Sequence, residues 1–180
     1  MFIINYKILN EEKNRIVKLN NIMEIEADEN TVRGQIRLIF NNTKEGFVDK
    51  DIPFSGEFLI AWFKRLNDVL IQLKTSSFVA IKLPDSDSIW LEFKLNNQEV
   101  LISSIKAEKE MHVKEFVVNL PKRRSELFWC ESISKDELFN TILDTTSNFM
   151  KDIFAINKLP TEAKEFRELK DKYMKAKELG

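Results

Sequence analysis

His112 and Cys130 are the only imidazole and the only thiol in a chain of 180 residues. A nucleophilic cysteine needs a nearby base to lower its pKa. A zinc site wants four ligands drawn from Cys, His and carboxylate. One of each cannot dominate such a site, and no motif frames either residue. His112, between Met111 and Val113, reads as a partly exposed strand residue, and Cys130, beside Trp129, as a small buried hydrophobe. Gly34, Gly46, Gly56 and Gly180 lie far apart, so no glycine-rich loop brings backbone N–H groups to a phosphate. Carboxylates remain. Asp85, Asp87 and Glu92, and separately Asp49 and Asp51, have the chemistry to hold a divalent cation or run acid–base catalysis. Yet Asp85-Ser86-Asp87-Ser88 stands between two apolar segments, where Asp and Ser are ordinary turn residues. The inventory favours binding over catalysis, with no cofactor and no metal expected.

Aromatic residues are the better-stocked resource, with fourteen Phe, three Trp and two Tyr. Trp90 points opposite to Ile89, Leu91 and Phe93, on the face it shares with Glu92 and Lys94. If that face is open, Trp90 is an exposed aromatic among charges, the composition of a protein-binding hot spot. If the C-terminal helices cover it, Trp90 is core, and Leu101 and Ile105 on the same face speak for that alternative.

Twenty-eight Lys and Arg balance 29 Asp and Glu. A net charge near zero removes the electrostatic basis for general affinity to nucleic acid or to an anionic membrane. The one basic run, Lys122-Arg123-Arg124, reads as a solvated loop. A lone cysteine fits a reducing compartment, and no apolar stretch approaches the ~20 residues of a membrane span. The start carries no secretory pattern, so a cytoplasmic address is expected.

The elements that would position these residues form one domain over residues 1–180, with a helical segment from 132 to 180. Its central element is a helix from Ser55 to Lys74, with Phe58, Leu59, Trp62, Phe63, Leu66, Val69, Leu70 and Leu73 on one side and Glu57, Lys64, Arg65, Asp68 and Gln72 on the other. Ser55 is its expected N-cap. Strands are predicted at Phe2–Ile8, Phe78–Leu83, Ile89–Leu95, Val100–Ile105 and Met111–Leu120, with shorter ones at 46–48 and 127–130. Asn10 to Asn14 reads as a turn. Ile22–Ala27 and Val32–Phe40 read as a hairpin about Glu29-Asn30, which sets Glu24 and Glu26 on the face opposite Met23 and Ala27 and pairs Glu26 with Arg33. A second hairpin turns at Asn96-Asn97, pairing Lys94 with Glu99 and Phe93 with Val100. Ser134-Lys135-Asp136-Glu137 is a capping box, stapled by Ile133 and Leu138, and Thr161 caps a last helix carrying Phe166, Leu169 and Tyr173. Strands, a helix, more strands and two closing helices give an α+β class. It is read as a mostly antiparallel sheet of about six or seven strands, with one central amphipathic helix and two C-terminal helices packed on it.

From Gly56 to Ile105 this order resembles bacterial toxin-immunity proteins of the WapI type. The likeness lies in Glu57-Phe58 opening a helix with Trp62 and Leu66, a strand, an acidic turn, the strand Ile89-Trp90-Leu91-Glu92-Phe93, and a last strand with Val100, Leu101 and Ile102. The late helix with Phe139, Phe149 and Met150 is similar too. Lys82-Leu83-Pro84-Asp85 stands where that family has a Glu-Pro dipeptide. The resemblance implies a non-catalytic protein that neutralises a cognate toxin domain by direct binding. Toxin domains often act on nucleic acid and carry basic clefts, so the contact residues expected by analogy are Asp85, Asp87 and Glu92 around Trp90, and Glu24 and Glu26. Two other readings stay open: a homo-oligomeric module, a homodimer for instance, paired through the Trp90 face, and a hydrolase using carboxylates and a metal.

Overall fold

In the computed structural model, the central amphipathic helix forms as α3, Leu59–Leu73, and buries nine residues along one stripe, Leu59, Ile60, Trp62, Phe63, Leu66, Asn67, Val69, Leu70 and Leu73. The structure describes residues 1–27, 32–49, 56–83, 88–107, 117–118 and 124–179. The helix starts later than its periodicity suggests, because Glu57–Phe58 is spent on a short strand, β4. Phe58 itself, expected on the apolar side, is exposed and lies under the Arg33 guanidinium. The expected cap Ser55 lies outside the described residues.

The class is α+β, with two antiparallel sheets rather than one. Sheet A joins β1 (Phe2–Ile8), β2 (Arg33–Phe40), β3 (Thr43–Gly46) and β4, with β1 on one side of β2 and β3 and β4 on the other. Sheet B runs in the order β8 (Val117–Val118), β5 (Phe78–Lys82), β6 (Ile89–Asn96), β7 (Glu99–Ala107), β9 (Arg124–Ser134). Strand β9 was expected only as a fragment at 127–130, and most of the expected strand 111–120 lies outside the described residues.

The first hairpin is corrected. Ile22–Ala27 is a helix, α2, so neither Glu24 nor Glu26 stands opposite β2; the partner of β2 is β1, with Phe2 opposite Phe40 and Ile8 opposite Gly34. Six residues with alternating apolar positions satisfy either period, and the cap decides between them: Asn21 Oδ1 accepts the backbone N–H groups of Met23 at 2.7 Å and Glu24 at 3.3 Å. The expected turn at Asn10 to Asn14 is the start of another helix, α1 (Asn10–Lys18), with Glu11 and Glu12 in its first turn and Arg15 and Lys18 in its last, as the helix dipole prefers.

In the second hairpin, Asn97 takes the positive φ of 56°, and Asn96 pairs with Glu99, Leu95 with Val100 and Phe93 with Ile102. The register therefore sits two residues from the expected one. A slip of two returns every side chain to its own face, so the hydrophobic pattern is blind to it.

Helix α4 spans Lys135–Ile156, with Ser134 Oγ accepting the Glu137 N–H at 3.5 Å. The reciprocal half of the capping box is diverted: Glu137 Oε1 accepts the backbone N–H of Phe2 at 2.6 Å, which fastens β1 to the start of α4. A short 3₁₀ turn (Leu159–Glu162) leads into α5 (Lys164–Glu178). Thr161 belongs to that turn, donating to the Lys158 carbonyl at 2.6 Å, so it does not cap α5. Helix α5 lies along the polar side of α3. There Lys64 Nζ donates to Glu165 and Glu168 at 2.6 and 2.5 Å, and Lys172 pairs with Asp68.

One continuous apolar core takes residues from both sheets and from α3, α4 and α5. At its centre Phe63 and Phe149 stack with centroids 4.6 Å apart, and Tyr6 meets both edge-on. Phe40 and Trp129, 5.3 Å apart, carry the core from sheet A to sheet B.

Candidate functional site

The face of sheet B turned away from the core contains a trough, and strand register explains it. Ala80 pairs with Glu92, Glu92 with Ser103, and Ser103 with Cys130, so one row crosses four strands with a single large side chain in it. The rows on either side are bulky. Phe78, Lys94 and Leu101 form one flank, and Trp90, Ile105 and Leu127 the other. Small residues around Glu92 between two large rows leave a cavity of about 410 Å³, lined by Phe78, Leu101, Ile105 and Leu127 together with Glu92, Lys94, Ser103, Arg124, Glu126 and Cys130.

Glu92 is only 6% exposed. Its partner is Arg124 from the first residue of β9, whose guanidinium also lies over the Phe78 ring, 5.1 Å from the centroid. The contact is an ion pair between Arg124 Nη2 and Glu92 Oε1. Burial pushes the Glu92 carboxyl above the ordinary glutamate value of 4.5, and the charge of Arg124 draws it only part of the way back. A carboxyl with a raised folded-state pKa binds its proton more tightly in the native chain than in the unfolded one. It therefore contributes stability below the unfolded value that is lost as pH rises through the folded value. Comparing urea unfolding of the wild type with Glu92→Gln between about pH 4 and pH 8 isolates this group. The wild type is expected to lose stability relative to the variant across that window, and a flat or rising difference contradicts the burial argument.

Strand β9 is an edge of sheet B. Its second half is fastened to sheet A: Asn41 Nδ2 and Thr43 Oγ1 donate to Glu131 at 2.8 and 2.9 Å, and Trp129 Nε1 donates to Glu45 at 2.8 Å. Those hydrogen bonds, from Asn41 first and then Thr43, hold the Glu131 carboxyl below its usual range. The first half, Arg124–Phe128, pairs on its outer side with no strand among the described residues. A bulge falls here, because Ser104 opposes Trp129 while Ile105 opposes Leu127, which leaves Phe128 as the extra residue. Leu127 is 62% and Phe128 46% exposed.

These positions revise the residues expected at the site. Trp90 is 3% exposed and does not serve as an open anchor. It lies in a small separate cluster with Ala80, Ile105 and Ala107, against which Phe78 packs, and among the described residues no side chain of the C-terminal helices joins that cluster. Glu92 is buried and ion-paired rather than presented on the surface. Glu24 is exposed on α2, well apart in the chain from the trough, with Glu26 on the same helix. Asp85, Asp87 and His112 lie outside the described residues. Cys130 is exposed, not a buried hydrophobe. Sequence reasoning missed Arg124, Leu127 and Phe128; the adjacent Leu-Phe on an edge strand was the available signal.

A second cavity of about 370 Å³ lies where Tyr6, Lys7 and Ile8 of β1 meet Lys13 and Asp152. Tyr6 Oη donates to Asp152 at 2.6 Å, and burial, then that carboxylate, pushes the phenol pKa up. The tyrosine stays protonated and is no base. Among the described residues no three His, Cys, Asp or Glu side chains converge as metal ligands. No described helix is long and apolar enough to cross a membrane. No family model, curated protein or solved structure matches the chain.

Proposed function

We propose that this chain is a non-catalytic protein-binding domain that takes its partner on the open half of β9 and the trough beside it, and that it acts as an immunity protein neutralising a toxin domain. The observation that carries the reading is the exposed Leu127-Phe128 pair on a bulged edge strand, next to a cavity floored by a buried carboxylate. An open strand edge offers backbone donors and acceptors to an incoming strand, and flanking apolar side chains supply anchors. A rim of polar residues around apolar ones is the composition of a specific interface. The likeness of residues 56–105 to WapI-type immunity proteins supplies the kind of partner.

The test is co-expression with a toxin domain encoded beside the chain's own gene. Growth is expected to recover and a stoichiometric complex to elute by size exclusion. The double variant Leu127→Asp, Phe128→Asp, which alters only exposed side chains, is expected to keep its circular dichroism spectrum and lose both effects. Failure of the wild-type chain to bind or protect overturns the immunity reading.

A further inference from the structure

Resting on that reading, we propose that the trough is the seat of an arginine side chain from the partner protein, and that Arg124 holds this seat in the free chain. Glu92 is a deeply placed carboxylate in a cavity with room around it, and its ion-pair partner among the described residues is Arg124, a cation from a strand end that is itself 45% exposed. That pairing is made through Arg124 Nη2 and Glu92 Oε1. A guanidinium entering from outside can meet a carboxylate with two parallel N–H donors while its flat face rests on an aromatic ring. The Phe78 ring is the surface on which Arg124 already rests. Lysine, a compact point charge, offers neither the parallel donor pair nor the flat stacking face.

Charge supports the same occupant. The trough holds Glu92 and Glu126 against Lys94 and Arg124. With Arg124 in place these charges balance, and when it swings out the remaining lining is negative by one. An incoming arginine restores the balance and the stacking contact together. Arg124 therefore keeps a buried carboxylate paired until the partner arrives, which avoids the cost of an isolated buried charge.

Cys130 lines the trough and is the chain's only cysteine, so its alkylation by the neutral reagent iodoacetamide reports occupancy in the folded protein without labelling elsewhere. The probes are the amides of N-acetyl-arginine, N-acetyl-lysine and N-acetyl-citrulline. The arginine probe is expected to slow alkylation of the wild type, and at the same concentration to slow that of Arg124→Ala about fivefold more effectively, since the internal competitor is gone. Citrulline, equal in shape but uncharged, is expected to protect neither, lysine to protect weakly, and Glu92→Gln to abolish protection by arginine. Equal protection by citrulline, or none by arginine in Arg124→Ala, overturns the proposal. If the toxin domain binds through Leu127 and Phe128 while arginine leaves the Cys130 rate unchanged, the seat is wrong and the docking face stands. If arginine protects Cys130 and no toxin domain binds, the seat stands without the immunity reading.

Discussion

Gly34→Ala is expected to cost about 3 kcal/mol or more and to leave little native protein at modest urea concentrations. A Cβ at this position falls 2.2 Å from Leu59 Cδ1 and 2.6 Å from the Lys7 carbonyl oxygen. The leucine could turn aside. The carbonyl cannot, because it belongs to β1 in the ladder that sets Ile8 opposite Gly34. Leu59 also opens α3, with its N–H donated to Val32 O at 2.9 Å, so a displaced strand drags the helix start with it. Gly56→Ala is the control. Its Cβ meets nothing closer than 3.4 Å, on the Arg33 and Leu9 side chains, and a change within about 0.5 kcal/mol is expected. Urea unfolding followed by tryptophan fluorescence distinguishes the two, and equal midpoints for both variants would refute the close approach of β1, β2 and α3.

Phe63→Ala is expected to destabilise by about 3–5 kcal/mol, a large share of the 5–15 kcal/mol typical of a domain. Phe63 is fully buried, stacks on Phe149 and receives the edge of Tyr6. Deleting its ring leaves a cavity at the meeting of α3, α4 and β1, where three separate elements would have to move to fill it. Thermal unfolding by calorimetry or by circular dichroism checks this. A loss below about 1 kcal/mol would mean that the three elements collapse freely around the gap.

The α+β class, the stripe of α3, the strands β5, β6 and β7 of sheet B and the long helix α4 were legible because each rests on many residues in one period. Shorter elements were not. Ile22–Ala27 carries too few residues to separate a period of 2 from one of 3.6, and the Asn21 cap that settles it was overlooked beside the alternation of Met23, Ile25 and Ala27. For α1, Ile16, Val17 and Leu19 were the only apolar signals in a polar run; Ile16 and Leu19 are buried, and Val17 is exposed. The face shared by Trp90 and Glu92 was correctly assigned from alternation, but its relief was not. The trough exists because Ala80, Ser103 and Cys130 align with Glu92 across four strands, and such a row depends on register. Periodicity cannot sense an even slip, and it has no means of placing a bulge such as the one at Phe128.

The bond from the Phe2 amide to Glu137 and the meeting of Tyr6 with Phe149 and Asp152 join segments more than a hundred positions apart. Contacts of such span close late. During synthesis the first strand leaves the ribosome long before the helix it leans on, and in that interval Tyr6 of β1 and Phe63 of α3 lack the Phe149 ring that later covers both. The core, which also takes Phe166, Leu169 and Ala176 of α5, is complete only when residues 135–178 have arrived.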